Sequence, residues 1–322
     1  MTKQALLIIS GLVLVTIIFA LGLFLYGEAG FLSFSEIDSN IFWELRFPKI
    51  ITAFLAGGML ASAGLLLQVF FQNPLAGPDL LGINAGSCLG VALAIMGAPF
   101  LPSAINGISQ PVMSVLGALS VFLLLVFLVR KNVSAITLIV LGLLIASFTG
   151  SLISVLVNMT PSLQVKNFLM WSMGSFQAIT LERLPLFVFL SIFGTTILFF
   201  LPKQLNQFVL GENYARSMGV NVRSFKIWLI LLCSYLIGVV TVFCGPIGFI
   251  GIIAPHIARS LIKHSDIRLV LPSAFMIGGI LALFTEFVLI FTSSYSLAAN
   301  SILGLIGAPV IALYFYRQRR LL

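Results

Sequence analysis

A few polar residues stand out against an apolar background, and each limits what chemistry the chain can perform. Arg46-Phe-Pro-Lys49 sets two cations three residues apart. Such a pair can snorkel at a bilayer interface or act as a positive knob for acidic residues of another protein. The preceding Ser33-x-x-Glu36 has capping-box spacing and predicts a short helix leading into Arg46. In Gln72-Asn-Pro-Leu-Ala-Gly-Pro-Asp-Leu-Leu-Gly82, Asn73 can cap a turn while Pro74 and Pro78 stop helix propagation, which predicts a tight loop. Glu212 and Arg216 lie four apart and can pair on one helical face that Gly219 would end. That segment reads either as a solvated connector or as a docking helix for a cytoplasmic protein.

Two further residues raise the question of proton or metal chemistry. His256, within Gly245 to Arg259, is of a type that ligates metals or carries protons. No acidic or cysteine partner sits near it at ligand spacing, so it reads as a structural histidine near the inner interface. Glu286 is the only acid deep within an apolar run. A centred carboxylate costs roughly 2.5–3.5 kcal/mol to insert, so it should face a cavity, a partner or the outer interface. Glu286 and Asn300 are the polar candidates for a membrane path.

Reaction motifs are missing. There is no GxxxxGK[ST] to hold ATP, and no HExxH or GxSxG. Cys88, Cys233 and Cys244 lie in or beside apolar stretches without CxxC spacing and read as small apolar fillers. The expectation is a chain that is not an enzyme, with no catalytic residue, no metal site and no cofactor of its own.

The elements that position these residues follow from composition. Of 322 residues, 60% are hydrophobic and 8% charged, whereas a soluble domain carries about 25% charged residues. Lipid is the solvent that suits such a surface. The net charge of +8 invites a nucleic-acid reading, but the basic residues fall between apolar runs and not along one face, so no nucleic-acid partner is expected. A membrane helix needs about 20 mostly apolar residues. Ten candidates occur, at roughly 5–26, 50–71, 80–98, 111–129, 134–157, 184–201, 226–243, 246–262, 270–290 and 300–316. The first is too long for a signal-peptide core and reads as a retained span. Pro246, Pro255 and His256 interrupt the eighth. With the N-terminus in the cytoplasm, thirteen Lys and Arg fall in inside segments and four (Arg46, Lys49, Lys166 and Arg183) outside. That asymmetry places both termini, including Arg317-Gln-Arg-Arg320, in the cytoplasm. No segment between spans is long enough for a soluble core. The expectation is therefore one transmembrane domain over 1–322, with its longest cytoplasmic loop at about 203–225.

At these motifs the sequence resembles the FecCD family of permeases, which import iron–siderophore complexes, haem and vitamin B12. The likeness runs from about residue 41 to 316. R-x-P-R resembles Arg46-Phe-Pro-Lys49, and N-P-L-A-x-P-x-x-L-G resembles Asn73-Pro74 to Gly82. W-x-x-G-S resembles Trp171 to Ser175, with Gly174; A-R-x-x-G resembles Ala215-Arg216 to Gly219. The G-x-I-x-F-I-G-L-x-x-P-H-x-x-R signature resembles Gly245 to Arg259, with Pro255 and His256, and the closing G-x-P resembles Gly307 to Pro309. Each pattern alone is weak; several in one order, on ten spans, are specific.

The resemblance implies an all-α integral membrane protein with the type II ABC importer permease fold in the bacterial cytoplasmic (inner) membrane. It implies a second permease copy or paralogue as dimer partner, cytoplasmic ATPase subunits that bind ATP and Mg, and an extracytoplasmic substrate-binding protein. Arg46 and Lys49 would receive acidic residues of the binding protein. Gly211, Glu212, Ala215, Arg216 and Gly219 would sit against the ATPase. Two departures stand out: Lys49 replaces an arginine and forgoes bidentate pairing. The Asp and Arg usual near the end of span nine are replaced by Thr285-Glu-Phe-Val-Leu-Ile290, which leaves Glu286 without its expected neighbour. The expected function is alternating access for an iron(III)-siderophore-type chelate, driven by partner ATPases, with haem or cobalamin as alternative cargo. The rival is an ion-coupled secondary transporter using Glu286, Asn300 and Ser301 at a broken helix.

Overall fold

The structure, a computed structural model, describes residues 3–27, 30–31, 42–97, 110–131, 133–292 and 297–319. The capping-box segment Ser33–Glu36 lies outside the described residues, as does Arg320.

In lipid every backbone N–H and C=O must be satisfied within the chain, and the helix does this segment by segment. All ten apolar runs form helices: α1 (Lys3–Leu25), α2 (Phe47–Phe70), α3 (Ile83–Met96), α4 (Gln110–Arg130), α5 (Ala135–Met159), α7 (Leu184–Leu198), α10 (Val222–Cys244), α11 (Ile250–Ile262), α12 (Ile267–Phe291) and α13 (Ala299–Arg319). Among the described residues six helical spans are long and apolar enough to cross a bilayer by themselves, while the apolar cores of α3, α11 and α13 are shorter. Between them lie α6 (Ser162–Ser172), α8 (Pro202–Val209) and α9 (Glu212–Ser217). Among the described residues the only strand pairing is a two-residue antiparallel one, β1 (Tyr26–Gly27) with β2 (Gly30–Phe31).

Helix α2 is the buried axis of the body. Every residue from Ala56 to Phe70 is buried, and α7, α10, α11 and α12 pack around it. Small residues permit this. A Cβ on Gly57 would come within 2.2 Å of the Gly278 carbonyl oxygen of α12, and one on Gly64 within 1.8 Å of the Gly251 oxygen of α11. Backbones in lipid gain dispersion energy by such close approach, where tails offer no hydrophobic driving force. One connected apolar core runs from Leu23 in α1 to Leu303 in α13. Outward faces are apolar too: Leu7 of α1, Leu123 of α4 and Ile136 of α5 are 71%, 62% and 75% exposed. Water would not tolerate that surface, and a bilayer does.

Side-chain caps mark the start of the helices that leave the positively charged loops. Ser134 accepts from the Thr137 amide (3.1 Å) at α5, Asn221 from Ser224 (3.1 Å) at α10, and Asp266 from Arg268 (2.9 Å) at α12.

Several boundaries differ from the sequence reading. The eighth span begins at Ile250, because Gly245–Phe249 is not helical, yet Pro255 lies inside α11 without breaking it. The third begins at Ile83, after a 3₁₀ turn at Pro78–Leu81. The sixth ends at Leu198, and α8 departs from it at 56°. Helix α6 lay in what read as an outer connection; its eleven residues, SLQVKNFLMWS, are too short and polar to register as a span.

Candidate translocation and coupling sites

The basic motif Arg46-Phe-Pro-Lys49 starts on a π-helical turn, Phe42–Arg46, that runs directly into α2, with Pro48 in the first turn where its missing N–H has no consequence. Arg46 is 8% exposed and donates from Nη1 to the Phe24 carbonyl at the end of α1 (3.0 Å). Lys49 Nζ lies 2.8 Å from Glu286 Oε2 of α12, with the two side chains 13% and 0% exposed. Gln177 donates to the same oxygen (3.1 Å). Glu286 Oε1 is buried with no hydrogen-bond partner among the described residues. The expectation that Glu286 lacks a neighbour is therefore corrected: Lys49 supplies the cation from α2. In this structure the basic motif is an internal clamp joining α1, α2 and α12.

Elsewhere in the body, two non-helical stretches, after α6 and after α10, meet beside the start of α13. Gly174, Gly211, Gly219 and Gly245 all have positive φ, a region that L side chains rarely adopt. For Gly174 and Gly245 the reason is contact. A Cβ on Gly245 would lie 2.6 Å from the Trp171 carbonyl oxygen, and one on Gly174 2.6 Å from that of Pro246. The Ser175 amide donates to the Cys244 carbonyl (2.8 Å). Asn300 closes the junction from α13: Nδ2 donates to the Pro246 carbonyl (2.7 Å) and Oδ1 accepts from the Gly248 amide (3.0 Å). The motifs around Trp171, Gly245 and Asn300 thus form one clasp. Asn300, expected to line a path, has its side-chain amide committed to holding the 245–249 loop.

Beside the clasp, Asp79 accepts from Asn84 Nδ2 (2.8 Å), and Asn84 Oδ1 accepts from the Thr241 hydroxyl (2.7 Å). This chain fixes the Pro78–Gly82 turn between α2 and α3. Gly82, at φ +70°, provides the left-handed residue from which α3 starts. Asn73 caps the first part of the loop by accepting from the Leu75 amide (2.9 Å). His256 Nε2 donates to the Pro74 carbonyl (2.8 Å), and Arg259 donates to Gln68 Oε1 (2.6 Å), so α11 grips both α2 and its following loop. Pro309 lies within α13.

At the end of the body where α7 stops and α10 begins, α8 and α9 form a compact element. Leu205, Phe208 and Ala215 are fully buried under α2, α10 and α12. Gln72 donates to the Phe208 carbonyl (2.9 Å), and Asn206 donates to Asp266 (2.7 Å) while accepting from the Ile267 amide (2.8 Å). Glu212 forms an ion pair with Lys226 of α10. The pairing expected between Glu212 and Arg216 is replaced by this tertiary one, since α9 packs its acidic N-terminal turn toward α10. Partial burial pushes the Asp266 carboxyl up, but the Asn206 and Arg268 hydrogen bonds and the nearby Arg268 and His264 charges outweigh it and hold the group below its ordinary value.

Sequence reasoning missed Gln177, Asn206, Asp266 and the Asp79–Asn84–Thr241 chain. Asp79 sits in the Asn73–Gly82 motif at a position its pattern leaves open, and the others lie outside any motif; most matter through contacts between distant segments.

Comparison with known proteins gives this geometry its setting. The model of the FecCD transport family matches residues 5–317. The chain belongs to that family, as an ABC importer permease. HmuU of Yersinia pestis, a hemin transport system permease, is 34% identical over 87% of this permease and 84% of its own length. BtuC of Klebsiella pneumoniae, a vitamin B12 import permease, is 30% identical over 86% and 82%. MolB of Haemophilus influenzae, a molybdate import permease, is 28% identical over 93% and 88%. A solved ABC transporter assigned to the metal-chelate type, in an inward-facing conformation, superposes with TM-score 0.85 at 29% identity, covering 97% of this permease and 99% of that chain. The fold expectation is met: this is a multi-pass, all-helical ABC permease.

Proposed function

We propose that this permease imports an iron(III)-siderophore-type chelate across the bacterial cytoplasmic membrane by alternating access, with both termini inside and the whole of 1–322 acting as one transmembrane domain. The observation that carries the reading is at α9. Leu210 at the end of α8, Tyr214 in α9 and Met218 just after it are 64%, 44% and 54% exposed, an apolar stripe across the α8–α9 element, which would lie outside the bilayer. An exposed stripe of this kind marks a protein interface. The opposite side of the same element is tied to α2, α10 and α12 through Gln72, Lys226 and Asp266. A cytoplasmic ATPase seated on the stripe would move three core helices at once. ATP and Mg belong to that partner, and a second permease copy completes the path.

On the outer side, the binding protein would dock at the corner of Arg46 and Lys49, where one of its acidic residues competes with Glu286 for Lys49. Cargo as an iron chelate is supported by the metal-chelate likeness; haem, as in HmuU, and cobalamin, as in BtuC, are the alternatives. Leu210→Asp with Tyr214→Ala tests the reading. The assembled importer should lose ATPase association and ATP-driven uptake, while the purified variant keeps the wild-type unfolding profile. Normal association and uptake would overturn the docking assignment.

A further inference from the structure

An apolar groove of about 510 Å³ runs along the outward face of α10 between α4 and α7. Its walls include Ala118 and Phe122 of α4, Leu190 and Ile197 of α7, and Gly238 and Val242 of α10. Gly238 gives it depth, since a Cβ there would have no neighbour within 4 Å. From Trp228 to Phe243 the groove follows α10 for about 22 Å at 1.5 Å per residue, the length of a stretch that one extended acyl chain would fill.

All three lining helices reach the cytoplasmic side on cations. Arg130 ends α4 and Lys131 follows it, Lys203 lies in α8 two residues past Leu201, and Arg223 is in the first turn of α10. The Arg223 guanidinium donates to the Arg130 carbonyl (2.6 Å), so two of these ends touch. All four side chains are exposed, and among the described residues none of the four forms an ion pair with a carboxylate. Trp228, 59% exposed, stands at this mouth, a residue type that favours the headgroup level.

An apolar channel that opens onto unneutralised cations at the inner leaflet is complementary to one class of molecule. We infer that the groove is a binding site for an anionic phospholipid of the inner leaflet, with an acyl chain along α10 and its phosphate among Arg130, Lys131, Lys203 and Arg223. A second copy is disfavoured as the occupant, because a twofold contact would bring the same cations together. The site is distinct from the outer clamp, the clasp and the α9 stripe.

The test uses the full-length permease in mild detergent and native mass spectrometry, titrating dioleoylphosphatidylglycerol against dioleoylphosphatidylcholine. The anionic lipid should be retained at lower concentration. Arg130→Gln with Lys131→Gln should weaken it by about fivefold per cation removed, at about 1 kcal/mol each. Gly238→Leu should abolish retention by filling the groove. The charge variants lie outside the packed core, so they report even if Gly238→Leu unfolds. Equal retention of both lipids by the wild type, or charge variants that bind like the wild type, would overturn the inference. So would a disulfide-linked dimer formed through Phe193→Cys in the groove.

Discussion

Replacing Lys49 with methionine should destabilise the permease far more than replacing it together with its partner. At 2.8 Å and an effective dielectric of about 20, the Lys49–Glu286 attraction is about 6 kcal/mol before desolvation is counted. Desolvation of two buried ions offsets most of that, so the net worth of the pair is small. Truncating one member is different, because Glu286 is fully buried and its Oε1 already lacks a partner among the described residues. Lys49→Met leaves that carboxylate only Gln177, and the expected cost is about 3 kcal/mol. Lys49→Met with Glu286→Gln removes both charges and should return to within about 1 kcal/mol of wild type, a coupling energy of about 2 kcal/mol or more. Equilibrium unfolding of the full chain in mixed micelles, followed by tryptophan fluorescence, measures Lys49→Met, Glu286→Gln alone and the double variant. Single replacements that each cost under about 0.5 kcal/mol and simply add would refute the clamp.

Other outcomes follow from the same contacts. Gly64→Ala drives a methyl into the Gly251 carbonyl and should cost about 1–3 kcal/mol, whereas Gly11→Ala, with open space around it, should be neutral or slightly stabilising in the same unfolding assay. Asn300→Ala orphans the Pro246 carbonyl and the Gly248 amide and should cost about 1–3 kcal/mol, with faster amide exchange across 245–249. The Asp266 carboxyl is depressed in the folded state, so its contribution is complete above its ordinary value of 3.8 and is lost as pH falls through the lower folded value. Amide exchange in α8 should therefore accelerate below about pH 4 in the wild type, and Asp266→Asn should remove that pH dependence.

Much of the architecture was legible in the residues because lipid imposes a simple rule. Every long apolar run became a helix, and Asn73, Pro74 and Pro78 marked a real break. What escaped the sequence depends on third parties. Lys49 looked like an outward-facing cation because nothing in its neighbourhood announces Glu286, 237 positions later in the chain. Glu212 had a partner at helical spacing in Arg216, and the fold chose Lys226 because α9 packs on α10. The loop at Gly245–Phe249 read as the start of a span, since apolarity alone does not reveal that Asn300 binds its backbone at Pro246 and Gly248 and that Ser175 takes the Cys244 carbonyl just before it. Helices α6 and α8 are short, and only their packing on α3 and α2 distinguishes them from connectors.

Transport by defined assemblies in sealed vesicles tests the central claim most directly. With the cognate ATPase, the binding protein, ATP and an iron(III) chelate present, uptake should occur, and leaving out the ATPase or ATP should abolish it under any ion gradient. Uptake by the purified chain alone, driven by a proton or sodium gradient, would contradict the account.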